Sequence, residues 1–395
     1  MDKQPLKILL LTTSYPLTRE SRSGIFIHKM LEQLPADIHV TVLTPDDSSN
    51  TQDCLVSPRC TVRRFRYAPK GWQQLAHGSG GITASLAASK LHLLLLPPLL
   101  FSCFLMTCWY ARRVDLIHAN WSINGLIAGM VGLIFNKPVV TTLRGSDVNL
   151  AEKSWVMRQL AGSCLSHSRS VVTVSPTLKQ VLVQHFPGYA NKIRVIANGI
   201  DAAFYAAGEH RATDSTVRFL SAGNLVAGKG VQVILEAVAA LPASAANWHL
   251  DIVGDGPERN ALEAFCQASG LQAQVSFHGS VPPEQMPEFM RRADAFVFAS
   301  FAEGRPNVVL EAMAAGLPVL ASNIPAVQEL IEHGKHGFLF PPGKAEQLAQ
   351  HLVYCLNHPG ERQLLGRNAR QSLEAQVVSW QETASQYAAL YQAIS

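Results

Sequence analysis

Several signatures that would define a protein class are missing from this 395-residue chain. Its seven cysteines are an odd number without a C-x-x-C pair, which argues against a disulfide framework or a thiolate zinc site and fits a reducing cytosol. The apolar run Ile8–Leu11 is too short for a signal peptide and is expected to form a first strand. No G-x-G-x-x-G occurs, so the GDGP of Gly254–Pro257 is not a dinucleotide fingerprint.

A strong net charge is missing as well. The formal net charge is only +4 and looks dispersed along the chain, so we expect no nucleic acid partner. What the chain has is length and apolar content: 395 residues with 48% hydrophobic residues are too many for one ordinary core. Two globular domains are therefore expected.

Short β-branched runs alternate with helical stretches along the chain, which predicts the α/β class with doubly wound parallel sheets. The predicted strands of the first half are 7–12, 39–43, 115–118, 139–143, 171–174 and 193–196. Those of the second half are 217–221, 249–253, 275–278, 295–299 and 319–321. Residues 201–216 lack apolar periodicity and are expected to be a linker between the two halves.

The most informative segment is Phe301–Gly316, which reads FAEGRPNVVLEAMAAG. It follows a predicted strand, turns at Gly304 and Pro306 and continues as a helix, so Glu303 should lie in the loop and Glu311 in the helix. The free N–H groups of such a helix start can bind a phosphate. Four helical residues rise about 6 Å, so Glu311 could reach a group beside that phosphate.

This segment resembles the Glu-x7-Glu motif of the retaining glycosyltransferases of family 4. The resemblance runs along nearly the whole chain, because further matching segments follow in the expected order. They are KILLLTTSYP with Gly24, DLIHANW (115–121), TTLRGSD (141–147), NGID (198–201), AGNLVAGKG (222–230), IVGDGP (252–257) and FHG (277–279).

The resemblance implies the GT-B fold, in which two Rossmann-like doubly wound α/β domains face a cleft. Residues 1–200 would form an acceptor-binding domain, and residues 217–377 would form the nucleotide-sugar-binding domain after the linker 201–216. The C-terminal helix, residues 378–395, would cross back to the first domain.

By the same resemblance the second domain would hold the donor. Lys229 would contact the diphosphate together with the segment of Gly304, Arg305, Pro306 and Asn307, in which every residue except Pro306 offers a main-chain N–H group. Glu311 would bind the ribose and Glu303 the transferred sugar. The base would lie near Gly279 and Val281. Asn224 stands where the family often has Arg, so Arg305 or Arg144 would have to supply the missing charge.

In the first domain the resemblance points to His118, Arg144 and Gly24. His118 is predicted to end a strand at the cleft and to act in catalysis, although a histidine near a strand end can equally be a structural residue. Arg144 ends the next strand and would approach the sugar or the diphosphate. Gly24 would permit close approach of the backbone to a ligand.

No D-x-D pair exists in the chain, so we expect neither a metal nor another cofactor. The expected function is transfer of a hexose or N-acetylhexosamine, with retention, from a nucleotide diphosphate sugar to a glycan or lipid-linked acceptor. UDP-sugars are favoured and GDP-mannose is next, in the synthesis of bacterial surface polysaccharide. A nucleotide-sugar 2-epimerase and a non-catalytic nucleotide-sugar binding protein are the alternatives.

A basic segment precedes an apolar one in the first half. Arg59, Arg63, Arg64, Arg66 and Lys70 are interleaved with Phe65, Tyr67 and Trp72. Residues 82–110 contain a long apolar run in which His92, Pro97 and Pro98 count against a membrane-spanning helix. Basic clusters attract anionic lipid, whereas a solvated strand with its loop and a pair of buried helices would leave the same pattern. We expect a cytoplasmic enzyme in peripheral contact with an anionic membrane.

Overall fold

The computed structural model describes residues 4–17, 21, 23–49, 60–77, 82, 85–86, 89–208, 216–242, 245, 247–374 and 379–395. The chain divides into two compact units. Unit 1 comprises Met1–Gly199 with Trp380–Ser395, and unit 2 comprises Ile200–Ser379. Each unit is a parallel sheet with helices on its faces.

Unit 1 contains a seven-stranded sheet in the order β3-β2-β1-β4-β5-β6-β7, with all neighbours parallel. Its strands are β1 (Leu6–Leu11), β2 (Ile38–Pro45), β3 (Cys60–Phe65), β4 (Leu116–Asn120), β5 (Val139–Leu143), β6 (Ser170–Thr173) and β7 (Ile193–Val195). Its α-helices are α1 (Ile25–Glu32), α2 (Leu96–Ala111), α3 (Ser122–Phe135), α4 (Ser146–Lys153), α5 (Trp155–His167) and α6 (Pro176–His185).

Unit 2 contains a six-stranded parallel sheet in the order β10-β9-β8-β11-β12-β13. Its strands are β8 (Val217–Ala222), β9 (Trp248–Val253), β10 (Val275–Phe277), β11 (Ala295–Phe298), β12 (Val319–Ser322) and β13 (Gly337–Phe340). Its helices are α7 (Ala202–Ala207), α8 (Val231–Ala239), α9 (Arg259–Ala268), α10 (Met286–Arg292), α11 (Asn307–Ala314), α12 (Pro325–Gln328), α13 (Ala345–Asn357) and α14 (Pro359–Glu374).

Two strands and one helix differ from the sequence-based expectation. The edge strand β3 was missed because the arginines of CTVRRF interrupt its apolar pattern, and β13 because it is short and begins with Gly337. The expected linker is also partly wrong, because Ala202–Ala207 forms α7 with Phe204 buried in the core of unit 2. The rest of that segment, residues 209–215, lies outside the described residues.

The C-terminal helix α15 (Trp380–Ile394) belongs to unit 1. It packs against α1 and buries Tyr387 and Tyr391 in the same core cluster as Leu10 and Leu116 of the sheet. The side chain of Thr383 donates a hydrogen bond to the Ala197 carbonyl at 2.9 Å. Unit 1 is therefore completed by the end of the chain, with residues 375–378 outside the described part.

The order of strands in each sheet reverses direction at one point, between β1 and β4 in unit 1 and between β8 and β11 in unit 2. In open α/β sheets, ligands bind outside the carboxyl ends of the strands at such a switch point, because the flanking loops diverge there and leave a crevice. The segments after β1, β4, β8 and β11 are therefore the places to search for a site.

Candidate functional site

The loops after β8 and β11 are held together at the switch point of unit 2. The main-chain N–H of Phe301 donates to the Gly228 carbonyl at 3.0 Å, which ties the turn that precedes α8 to the end of β11. Because β8 and β11 pair directly, Ala295 opposite Phe219, the two loops start from neighbouring strands. This brings residues 223–230 and 299–306 to one place.

An ion pair lies between these two loops. The Nζ of Lys229 donates to Oε1 of Glu303, and the Ser300 hydroxyl donates to the same oxygen at 2.8 Å. The Glu303 side chain is 14% exposed and that of Lys229 31%, so the pair is partly shielded from water. The structure thus brings together Lys229 and Glu303, the two residues for which the resemblance implies contacts with the diphosphate and the sugar.

Two glycines allow the backbone of this region to come so close. At Gly230, the N-cap of α8 with φ of 63°, an added Cβ would lie 2.2 Å from the Ala299 carbonyl oxygen. At Gly254, with φ of 141°, it would lie 1.8 Å from the Gly223 carbonyl oxygen. No side chain fits at either position, so the loops after β8, β9 and β11 pack backbone to backbone.

The helix α11 starts beside the ion pair. Gly304 and Pro306 are buried at its entry, Asn307 is its first residue, and Glu311 lies half-buried one turn further on. The start of α11 presents main-chain N–H groups beyond the carboxyl end of β11, which favours an anion.

Arg305 lies half-buried in the same entry segment. Its Nε is buried without a hydrogen-bond partner among the described residues, and burial lowers the pKa of its guanidinium. A buried donor that lacks a partner costs free energy, and an anionic ligand would relieve that cost.

The positions expected near the base lie at the ends of β9 and β10. The Gly254 N–H donates to the Gly279 carbonyl at 2.8 Å, Gly279 has φ of 66°, and Val281 is buried. Asn224, in contrast, is exposed in the loop after β8. The amide of Asn224 is uncharged and adds no positive charge to the site. Among the described residues at this switch point, the positive charges come from Lys229 and Arg305.

In unit 1, Arg144 is fixed by two asparagines. Its Nε and Nη2 donate to Oδ1 of Asn120 at 3.0 and 2.8 Å, and its Nη1 donates to Oδ1 of Asn198 at 2.9 Å. The guanidinium lies over the Phe26 ring at 4.4 Å from the centroid. Arg144 is therefore a half-buried, pre-positioned cation at the carboxyl end of β5.

The need for a glycine at position 24 is explained by a close contact within unit 1. It has φ of 72°, and an added Cβ would lie 2.2 Å from the Ser14 carbonyl oxygen. The close backbone approach that the sequence suggested is thus an approach to the loop after β1. A role toward a ligand stays a prediction.

The expectation that His118 ends a strand and faces the substrate is wrong. The strand β4 runs on to Asn120, and His118 is 0% exposed in its middle. Both ring nitrogens are engaged, Nδ1 with the Tyr391 hydroxyl at 2.7 Å and Nε2 with the Thr142 hydroxyl at 2.8 Å. His118 therefore joins the C-terminal helix to the sheet. The prediction failed because it placed the end of β4 two residues too early.

The burial of His118 predicts an acid-sensitive fold. Burial, with a smaller contribution from Arg144, lowers the pKa of His118 to about 3. An unfolded histidine has a pKa of about 6.5, so below that pH the unfolded chain binds a proton that the folded chain excludes. The contribution of neutral His118 is complete above pH 6.5 and is lost as the pH falls toward 3.

We expect wild type to lose about 2 kcal/mol more free energy of unfolding between pH 8 and pH 5 than His118→Gln does. Urea unfolding at the two pH values measures this difference. His39→Gln, at an exposed histidine on β2, is the matched control and should lose as much as wild type. Equal losses in wild type and His118→Gln would show that His118 is not held neutral.

Sequence reasoning missed three residues that build the site: Ser300, Gly230 and Gly254. Ser300 carries a signal in retrospect, since it closes the apolar run of β11 and stands three residues before Glu303. Gly230 and Gly254 lie in the matching segments 222–230 and 252–257, but the sequence did not show what they do, because the close backbone contacts appear only when the neighbouring strands are known. Across the described ranges, no group of three or more His, Cys, Asp or Glu side chains could hold a metal ion.

Comparison with known proteins agrees with this architecture. The model of glycosyl transferases group 1 matches residues 208–372, and that of glycosyltransferase family 4 matches residues 23–204. Glycogen synthase of Mycobacterium tuberculosis is 28% identical over 287 residues, which cover 71% of this chain and 69% of that protein.

Two solved structures share the fold over nearly the whole chain. Sucrose-phosphate synthase from Thermosynechococcus elongatus superposes with a TM-score of 0.78 at 22% identity, covering 98% of each chain. The Anabaena protein HepE, solved with UDP-glucose, superposes with a TM-score of 0.74 at 21% identity, covering 98% of this chain and 100% of that one. The fold is thus that of the GT-B glycosyltransferases, and the chain belongs to glycosyltransferase family 4.

Proposed function

We propose that this glycosyltransferase is a retaining hexosyl- or N-acetylhexosaminyltransferase that uses a UDP-sugar and needs no metal. The observation that carries the proposal is the Lys229–Glu303 ion pair at the switch point of unit 2. It sets a cation for the diphosphate beside a carboxylate for the sugar. The HepE structure with UDP-glucose favours UDP over GDP.

The leaving diphosphate would be stabilised by fixed protein groups. Lys229 would turn from Glu303 to the phosphates, and the N–H groups at the start of α11 would bind the same oxygens. Arg305 would gain an acceptor for its buried Nε, which has none in the part of the chain that the structure describes. Preorganised donors of this kind can meet the charge of a leaving group without a cation bound between carboxylates.

The rest of the donor would follow from the same arrangement. Glu311, one turn into α11, would accept hydrogen bonds from the ribose, and Glu303 would bind a hydroxyl of the sugar. The base would contact the backbone near Gly279 and Val281. The leaving phosphate itself would take the acceptor proton on the same face of the sugar, which gives retention without a covalent enzyme intermediate.

Arg144 would serve the acceptor side of the reaction in unit 1. Its guanidinium is already oriented by Asn120 and Asn198, so binding would cost little side-chain entropy. We propose a glycan or lipid-linked acceptor and a place in bacterial surface polysaccharide synthesis, at the cytoplasmic face of the membrane.

A thermal-shift screen tests donor binding without knowledge of the acceptor. We expect a UDP-sugar to raise the melting temperature, because a ligand at 100 times its Kd stabilises the folded state by about 2.7 kcal/mol. EDTA should leave both the shift and turnover unchanged. Loss of both on chelation would refute metal independence, and no shift with any nucleotide sugar would refute the donor class.

A further inference from the structure

One side of unit 1 exposes a continuous apolar stripe. On α2, Phe101, Leu105 and Trp109 recur every four residues and are 64, 49 and 59% exposed. The stripe begins at Leu94 in the 3-10 turn Lys90–Leu95, where the side chain is 73% exposed.

The neighbouring helix α3 exposes large apolar residues on the same side of the sheet. Leu133 and Ile134, near its C-terminal end, are 69 and 62% exposed. Both helices bury their opposite faces in one core cluster, with Leu99 of α2 and Val131 of α3 among its members. We call Leu94, Phe101, Leu105, Trp109, Leu133 and Ile134 the apolar face.

The apolar face lies in the basic part of the chain. Residues 54–146 contain ten Lys and Arg against one acidic residue, Asp115, although the whole protein has a net charge of only +4. The expectation of dispersed charge is therefore wrong: the excess of positive charge is concentrated in the segment that carries this face.

Several of these cations lie at the helices of the apolar face. Arg112 and Arg113 directly follow the last residue of α2 and are exposed. The Arg113 guanidinium lies 4.9 Å from the Trp109 ring centroid, and that of Arg112 lies 5.4 Å from the Phe135 ring centroid. Exposed Arg66 also adjoins α2, because the Ser102 hydroxyl donates to its carbonyl at 2.8 Å.

We propose that the apolar face is a docking surface for an anionic lipid bilayer. The apolar side chains would enter the boundary between headgroups and acyl chains, and the arginines would meet anionic headgroups, as at interfacial helices. Trp109 with Arg113 supplies an aromatic ring beside a cation, a pair suited to the interface. Docking would bring the enzyme to the bilayer that carries a lipid-linked acceptor. Only this link to the acceptor rests on the proposed function.

The bilayer contact would be peripheral. Leu91–Ala111 spans 21 residues and is long and apolar enough to cross a membrane by length and composition, yet its other side is part of the protein core. Leu99, Cys103 and Ala111 pack there with Leu9 and Leu11 of β1. Withdrawing α2 into a bilayer would uncover that side of the sheet, so the helix is expected to lie parallel to the surface.

The apolar face differs from the basic, aromatic Arg59–Trp72 segment that the sequence suggested as the membrane contact. Phe65 and Tyr67 are buried in the core rather than exposed, and the Nη2 of Arg64 donates to the Pro16 carbonyl at 2.9 Å. Arg63, Arg66, Lys70 and Trp72 are exposed, and Arg59 lies outside the described residues. The basic contribution of the Arg59–Trp72 segment to docking is thus smaller than its sequence implies.

Flotation with liposomes tests the docking surface independently of transfer. We expect binding to vesicles of phosphatidylcholine with phosphatidylglycerol, weaker binding to phosphatidylcholine alone, and partial release by high salt. Phe101→Gln/Leu105→Gln/Trp109→Gln should lower the partition coefficient at least about tenfold. Arg112→Gln/Arg113→Gln should lower it by roughly fivefold per charge.

Two control variants change exposed residues of the same kinds elsewhere in unit 1. Trp155→Gln/Val156→Gln changes two exposed apolar residues of α5, and Arg169→Gln/Arg194→Gln removes two exposed cations. Both should bind vesicles as wild type does. Equal loss in the controls, or wild-type protein that stays soluble with every vesicle, would overturn the proposal, as would a concentration-dependent dimer that the triple variant abolishes.

Fluorescence quenching by brominated lipid locates the contact. We expect vesicles to quench part of the emission of wild type and of Trp155→Phe, and to quench Trp109→Phe much less. Quenching that persists in Trp109→Phe would place the contact elsewhere. The UDP-sugar thermal shift does not depend on lipid. Wild-type protein that shows the thermal shift but does not float with any vesicle would therefore refute the docking surface without refuting the proposed function.

Discussion

Lys229→Ala should weaken UDP binding by about 10- to 100-fold and lower the rate of transfer by about 100- to 1,000-fold. The ammonium of Lys229 pairs with the Glu303 carboxylate and lies where β8 leads into α8. A charge-assisted hydrogen bond to the diphosphate grows stronger as negative charge develops on the leaving group. Its loss therefore costs more in the transition state than in the ground state.

Calorimetric titration with UDP, UMP and uridine separates this role from a general effect on the fold. The affinity for UDP should fall in Lys229→Ala, whereas that for uridine should change little. Lys335→Ala is the matched control, since Lys335 is an exposed lysine of unit 2 paired with Glu332. An equal loss for UDP and uridine would mean that Lys229 shapes the site without binding the diphosphate.

Glu303→Gln should slow transfer by about 100-fold or more while leaving the affinity for UDP unchanged or higher. Glu303 pairs with Lys229 and would therefore compete with the diphosphate for its ammonium, which the uncharged amide of the variant would release to the ligand. A contact to the reacting sugar matters most as positive charge develops there. The defect should therefore appear in kcat.

Glu311→Gln should give the opposite division. Hydrogen bonds to the ribose help the ground state and the transition state alike, so we expect KM for the donor to rise about tenfold with kcat nearly preserved. Steady-state kinetics of both variants measures the split, with Glu332→Gln on the surface of unit 2 as the control. A fall in kcat for Glu311→Gln with a rise in KM for Glu303→Gln would reverse the roles assigned to the two carboxylates.

Local patterns were enough to predict the central strands. The strand β11, which reads AFVF, is a continuous apolar run because both faces of a parallel sheet are covered, and that signal is contained in a few residues. The edge strand β3 does not show this apolar pattern, because it contains Arg63 and Arg64. Its pairing with β2 could not be predicted from its own residues. Strand order, which brings Lys229 and Glu303 together, depends on contacts between residues 74 positions apart.

His118 shows why a site residue can be misplaced by a pattern. Its predicted position at a strand end depended on where the strand stopped, and boundaries are the weakest part of such predictions. Its partner Tyr391 is 273 residues away, so no local feature could show that the ring is enclosed. The charge of the first half was misjudged for a different reason, because a net value hides an uneven distribution.

The stereochemistry of transfer tests the proposed reaction most directly. The wild-type protein can be incubated with a UDP-α-hexose and a simple alcohol as surrogate acceptor, and the glycoside that forms can be identified by proton NMR, since an alkyl glycoside does not mutarotate. Lys229→Ala serves as the blank for background reaction. We expect the α-glycoside, formed with retention in the presence of EDTA; a β-glycoside would contradict the front-face mechanism that we assign to this site.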